Sequence, residues 1–132
     1  MEDPLSFILN DLGEERENYF NAMSPPIIQT SNFAFPTVDQ FRSAVLDEQN
    51  SHIYTRGNNP TVEILRKKLA ALEGTDDALI FASGSAAISM AIMSCVGQGD
   101  HVICVQHPYS WTATLLTRYL VKYGVTHDFV DG

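Results

Sequence analysis

Two short stretches of this chain combine residue types that bind anions. In Ala82-Ser83-Gly84-Ser85-Ala86-Ala87 an apolar run ends, a glycine permits a sharp turn, and a helix of small residues is predicted to begin at once. The first N–H groups of a helix have no partner within it, and its peptide dipoles place positive charge there, so the turn is a candidate phosphate site. Ser83 and Ser85 add hydroxyl donors, and the alanines let a ligand approach the backbone. By itself the turn reads equally well as a plain strand-to-helix connection. The second stretch is His52-Ile53-Tyr54-Thr55-Arg56-Gly57-Asn58-Asn59-Pro60-Thr61, where an aromatic ring and a guanidinium stand two residues apart. The planar fork of Arg suits phosphate or carboxylate, although composition alone favours a solvated loop.

Other chemistries lose support. No G-x-G-x-x-G follows the first predicted strand and no G-x-x-x-x-G-K-S/T occurs, so dinucleotide and P-loop readings are set aside. Neither Ser83 nor Ser85 has glycine two residues away on both sides, which a nucleophile elbow needs. His101, Cys104 and His107 resemble a metal cluster on paper. On a strand, however, His101 and Cys104 face opposite sides, and His101 and His107 lie roughly 20 Å apart at ~3.3 Å per residue. Ordinary strand and loop residues are the better reading, His52 and His127 are isolated in the sequence, and no metal is expected.

The elements that would position these stretches follow from periodicity. Thr37–Glu48 is predicted as a helix, with Thr37 and Gln40 as a capping box and Val38, Phe41 and Val45 on one face. Thr61–Glu73 is a second helix closed by Gly74. Ala78–Ala82 reads as a strand, Ala86–Val96 as a helix, His101–Gln106 as a strand, Trp111–Tyr123 as a helix closed by Gly124, and Val125–Val130 as a third strand. This β-α-β-α-β order with short connections predicts an α/β fold, the beginning of a mostly parallel, helix-covered sheet preceded by an extended N-terminal arm. A parallel sheet needs cover on both faces, so the chain reads as the first third of a larger α/β protein.

Composition bounds the function. The chain has 132 residues, 45% of them hydrophobic and 18% charged, enough to build a core and too apolar for disorder. Its formal net charge of -8 argues against a nucleic-acid surface, which needs clustered Lys and Arg. Nine acidic and two basic residues precede position 49, and the acidic stretch from Glu14 to Glu17 reads as a solvated helix face. Two cysteines, Cys95 and Cys104, do not make a disulfide-stapled fold. No apolar run reaches the roughly 18 residues of a membrane span and no leader opens the chain, so a cytoplasmic protein is expected.

Taken together, the motifs resemble a known family. Tyr54-Thr55-Arg56, then Asn59-Pro60-Thr61, Glu73-Gly74, Ser83-Gly84-Ser85-Ala86-Ala87, Gly99-Asp100-His101-Val102-Ile103 and Tyr109 run in the order seen in the pyridoxal-phosphate enzymes of cysteine and methionine metabolism. That family includes cystathionine synthases and lyases, methionine γ-lyase and the homoserine-ester sulfhydrylases. Pro25-Pro26-Ile27 with Thr30, Ser31 and Phe33 resembles its N-terminal arm, and the likeness covers about residues 24–131. The resemblance implies the large domain of a fold-type I enzyme, with 1–60 as arm, helix and cofactor-contacting loop and 61–132 as the first part of the cofactor-binding domain. It also implies that Ser83, Gly84 and Ser85 hold the cofactor phosphate, with backbone N–H groups from Gly84 and Ser85. Tyr54 and Arg56 would reach the phosphate of a neighbouring subunit, making a homodimer or homotetramer with shared sites. Tyr109 would stack on the pyridine ring and take part in proton movement.

The chain departs from the family at three points. Ser85 stands where many members have Met or Gln, and Ser110-Trp111 follow Tyr109 where small residues are common. The family's chemistry also needs a Schiff-base Lys, and Lys67, Lys68 and Lys122 do not match its pattern. All three are expected at the surface, with the catalytic Lys beyond residue 132 and the fragment alone inactive. The function implied is C–S lyase or synthase action on cystathionine, methionine, cysteine or homoserine-ester substrates by β/γ-elimination or replacement. The alternatives are a non-catalytic assembly fragment and a stand-alone phosphate-binding α/β domain.

Overall fold

The helices that start at Val38, Pro60 and Gly84 each begin where a short polar side chain accepts a backbone N–H. The structure, a computed structural model, describes residues 4–132. It divides into two compact units, one ending at Leu79 and one running Ile80–Gly132.

The first unit holds helices α1 (Pro4–Asn10), α2 (Val38–Leu46) and α3 (Pro60–Glu73), with 3-10 turns at Arg16–Tyr19 and Glu48–Asn50. Thr37 caps α2 by accepting the N–H of Gln40 at 3.2 Å, as its sequence predicts. Asn59 caps α3, Pro60 occupies its first turn where no N–H is needed, and Gly74 ends it in the left-handed region at φ 67°. Helix α1 was not foreseen from the sequence. It packs against α3, and in the acidic stretch behind it Glu15 and Glu17 are exposed while Glu14 is not. Glu14 is only 8% exposed, pairing with Lys68 at 2.5 Å and Arg16 at 2.6 Å, while Arg16 also holds Asp11 at 2.6 Å. Lys68 therefore is no surface lysine: its side chain is 16% exposed, and its ammonium also donates to the Leu9 carbonyl. Lys67 remains partly exposed on a Glu63 pair at 2.8 Å.

The second unit holds α4 (Gly84–Met93), β1 (His101–Val105), α5 (Ser110–Thr114) and β2 (Thr126–Val130). The strands pair in parallel, His101 opposite Thr126 and Val105 opposite Val130, with α5 and its continuation as the crossover. Along both strands exposure alternates, so Val102, Cys104 and Phe129 turn toward a core of Leu115, Leu116, Leu120 and Val125. Beyond α5 the helix widens to a π turn at Leu115–Tyr119 and tightens to a 3-10 turn at Leu120–Tyr123 before Gly124. Thr114 and Thr117 donate their hydroxyls to the carbonyls four residues back, a bond that disturbs the regular ladder. Helix α4 stops at Met93 rather than Val96, because Ser94 bonds back to Ala91 and Cys95 to Ile92.

The three-strand expectation is corrected to two. Residues 78–82 form no strand: a strand is defined by a paired neighbour, and among the described residues nothing pairs with this segment. Leu79 is accordingly 70% exposed. The expectation of an α/β architecture with a parallel sheet holds.

Hydrogen bonding from Lys68 outweighs burial and, with the Arg16 charge, holds the Glu14 carboxyl below the ordinary glutamate range. A depressed folded-state pKa stabilises the fold above the unfolded-state value, and that stabilisation is lost as pH falls through the folded value. Glu14→Gln should therefore lower Tm at neutral pH and flatten its decline in acid, read from thermal melts across the acid range.

Candidate functional site

Asn59 organises the candidate residues of the first unit. Its amide donates to the Ile28 carbonyl at 3.1 Å and to the Thr55 hydroxyl at 3.0 Å, while its oxygen accepts from the Thr61 N–H at 2.9 Å. Thr61 repeats the connection: its hydroxyl accepts from the Ile28 N–H at 2.9 Å and donates to the Pro26 carbonyl at 3.3 Å. The start of α3 thus clips the arm at residues 26–28. A short antiparallel pairing extends the clip, with Asn32 bridged to Tyr54, the Thr55 N–H on the Ser31 carbonyl and the Phe33 N–H on the Ile53 carbonyl. The Thr55 hydroxyl also donates to the Thr30 carbonyl.

Tyr54 and Arg56 project from this clamped loop. The turn closes through the N–H groups of Gly57 and Asn58 on the Tyr54 carbonyl. The Arg56 guanidinium lies over the Tyr54 ring, 4.8 Å from its centroid, a cation–π contact that pre-orients the fork. Both border a shallow depression of about 590 Å³ whose other wall is Ile28–Ser31. His52 is not isolated: its Nε2 is 2.7 Å from the Glu63 carboxylate and its ring is 5.6 Å from that of Phe33.

The second unit presents the start of α4. Ser83 is extended, and its hydroxyl oxygen accepts the Ala86 N–H at 3.1 Å while its carbonyl takes that of Ala87. The amides of Gly84 and Ser85 have no hydrogen-bond partner among the described residues. Gly84 was expected to serve a sharp turn, but its φ is not positive and α4 begins at it. The lack of a side chain matters differently: a Cβ there would meet nothing within 4 Å, so the backbone lies open to an incoming group. The Ser85 hydroxyl lies 3.3 Å from the Tyr109 hydroxyl. Tyr109 is anchored because its carbonyl accepts the Thr112 and Ala113 N–H groups at the start of α5, yet it remains 54% exposed. Trp111 also faces outward, 61% exposed.

The remaining candidates separate from these groups. His101 bonds Thr126 at 2.7 Å and Asp128 at 3.2 Å on the outer sheet row. Among the described residues no group of three or more His, Cys, Asp or Glu is placed to hold a metal ion, and no helix is long and apolar enough to cross a membrane. Lys122 sits over the Tyr119 ring at 5.3 Å. Sequence reasoning missed the linking role of Asn59, Thr61 and Thr55, and the His52–Glu63 pair. An Asn before Pro at a helix start is a visible cap signal; the arm contacts have no local signature.

A family model described as Cys/Met metabolism PLP-dependent enzyme matches residues 8–132. A methionine γ-lyase of Porphyromonas gingivalis is 42% identical over 115 residues, covering 87% of this chain and 29% of that protein. An O-acetyl-L-homoserine sulfhydrylase of Corynebacterium glutamicum is 34% identical over 119 residues, covering 90% of this chain and 27% of that protein. The chain thus spans under a third of the length of these relatives. Among solved structures, a Campylobacter jejuni chain assigned as an O-acetylhomoserine (thiol)-lyase and holding N′-pyridoxyl-lysine-5′-monophosphate superimposes with a TM-score of 0.86. It is 27% identical, and the match covers 99% of this chain and 32% of that one.

Asn59 is 3% exposed, so its own amide has no water to fall back on and its bonds to Ile28 and Thr61 lie in a partly buried place. Asn59→Ala should cost about 2–3 kcal/mol, from lost buried hydrogen bonds and a lost cap. Asn59→Asp, which keeps the cap acceptor but turns a carboxylate oxygen onto the Ile28 carbonyl in a buried place, should cost at least as much. Urea denaturation of the three proteins checks the order.

Proposed function

The chain belongs to the Cys/Met metabolism enzymes that depend on pyridoxal phosphate, and from that premise we propose that it is the N-terminal part of a cytoplasmic enzyme that breaks or exchanges bonds to sulfur in amino-acid substrates. Cystathionine, methionine, cysteine and homoserine esters are the substrate classes in this reading, with β- or γ-elimination or replacement as the reaction. Residues 1–60 supply arm, helix and cofactor-contacting loop, and 61–132 the first part of the cofactor-binding α/β domain.

One observation carries the reading: the start of α4 offers two unpartnered amides, an open approach at Gly84 and the Ser85–Tyr109 pair in one place. A dianionic phosphate suits that set, because the amides and the dipole of a ten-residue helix supply positive potential without a side-chain charge. Ser83 keeps its hydroxyl proton for the phosphate, since only its oxygen is engaged by the helix. When bound, the pyridine ring of the cofactor withdraws electrons from the substrate's α-carbon, which labilises groups at the β and γ positions. The phenol of Tyr109 lies on a hydroxyl neighbour, so it can present its ring as a stacking face and pass a proton at its oxygen. Tyr54 and Arg56 complete the phosphate site of a neighbouring subunit in a homodimer or homotetramer. Their cation–π contact and clamped loop hold the guanidinium ready for that role.

Each of the three lysines already has a partner in a carboxylate or an aromatic ring. The Schiff-base Lys belongs to another part of the enzyme, and the 132 residues alone are inactive. Borohydride added with pyridoxal phosphate should leave no stoichiometric label on Lys67, Lys68 or Lys122 by peptide mass spectrometry. A single fully labelled site among them overturns this assignment.

Gly84→Val tests the phosphate site, because a helix Cβ leans toward the N-terminus and so into the space a phosphate needs. It should leave Tm near that of the parent and weaken cofactor binding at least tenfold. Arg56→Ala should weaken pyridoxal phosphate by roughly 10–100-fold, as for a lost charged hydrogen bond, and leave phosphate-free pyridoxal nearly unchanged.

A further inference from the structure

His52 and Glu63 lie outside every role described so far, yet they connect three elements. His52 stands just before the antiparallel pairing of 31–33 with 53–55, two residues ahead of Tyr54 on the same short loop. Tyr54 in turn carries the Arg56 guanidinium on its ring. On the other side His52 reaches α3, where Glu63 lies one turn past the Asn59 cap and accepts from Nε2 at 2.7 Å. The second Glu63 oxygen is held by Lys67 at 2.8 Å, and the Phe33 ring covers the imidazole. Burial raises the Glu63 carboxyl, but hydrogen bonds from Lys67 and His52 outweigh it and keep the group below its ordinary value. With Glu63 ionised, Nε2 is the protonated nitrogen and the imidazole has one orientation.

We infer that His52 and Glu63 are positioning residues for the Tyr54–Arg56 fork: the pair braces the loop against α3 so that the guanidinium is presented to the phosphate in one geometry. This rests on the reading that Arg56 takes the cofactor phosphate. The arm fixes the loop through backbone bonds, which set its path. Besides the Thr55 hydroxyl on the Asn59 cap, the His52–Glu63 bond ties a second side chain of this loop to the rigid helix. Without it the tyrosine ring and the guanidinium above it are free to tilt, and the cost appears in phosphate recognition rather than in folding.

The test measures the dissociation constants of pyridoxal phosphate and of phosphate-free pyridoxal for the whole enzyme, and takes their ratio as phosphate selectivity. His52→Phe keeps ring packing on Phe33 and removes the bond; it should lower selectivity about tenfold, the size of one hydrogen bond to a charged group. Glu63→Gln should lower it in the same direction, and His52→Gln, whose amide can still donate to Glu63, should recover most of the loss. In an Arg56→Ala background, His52→Phe should change selectivity no further. An unaltered ratio in both His52→Phe and Glu63→Gln, with Arg56→Ala collapsing it, overturns the positioning role and leaves the Arg56 reading intact. An unaltered ratio in Arg56→Ala overturns both. If His52→Phe fails to fold, Glu63→Gln with the His52→Gln comparison decides.

Discussion

The junction of Asn59 and Thr61 with the arm is the constraint on which the first unit turns. One buried amide and one hydroxyl reach Pro26, Ile28 and Thr55 while starting α3. Because the Asn59 amide is shut away from water, its bonds are expensive to leave unmade, and the arm cannot drift without breaking several contacts at once. The Thr55 hydroxyl accepts from Asn59 and donates to Thr30, so the loop bearing Tyr54 and Arg56 inherits the rigidity of a helix. At the helix's far face the Glu14–Lys68 pair secures the N-terminal segment to the same scaffold. Anion-binding side chains are long and flexible; mounting them on a clamped loop removes much of the entropy that binding would otherwise cost.

The second unit solves a different problem with backbone rather than side chains. A helix begins with four N–H groups that lack internal partners. Ser83 satisfies two of them through its hydroxyl and carbonyl, leaving the amides of Gly84 and Ser85 for a ligand. Small residues keep the approach open, and the core of Leu115, Leu116, Leu120 and Val125 holds α4, α5 and the sheet in register behind it. The proposed phosphate subsite would thus need no cationic side chain from this unit, which accords with a chain as acidic as this one.

Local signals were read well because they are local. The Thr37 cap, the Gly74 and Gly124 stops and the strands near His101–Gln106 and Val125–Val130 each depend on residues within one turn or one alternating run. The order of the Tyr54–Arg56, Asn59–Thr61 and Ser83–Ser85 motifs was enough to find the family. What escaped needed knowledge of distant partners. The 78–82 run has the composition of a strand but no neighbour to pair with among the described residues, and Lys68 has the pattern of a solvated helix lysine until Glu14 folds onto it.

By itself the sequence determined the family, the cofactor, the Thr37 cap and the Gly74 and Gly124 helix stops, since these are written in residue types at fixed short spacings. Tertiary structure alone decided which polar side chains are working parts of the scaffold. Asn59 and Glu14 look interchangeable with any loop or surface residue until burial closes off water as a competing partner, and Thr55, His52 and Glu63 until the fold brings their partners to them. Hydrogen bonds and ion pairs gain their directional hold in that desolvated setting, and burial is a property of the folded chain, not of the string of residues.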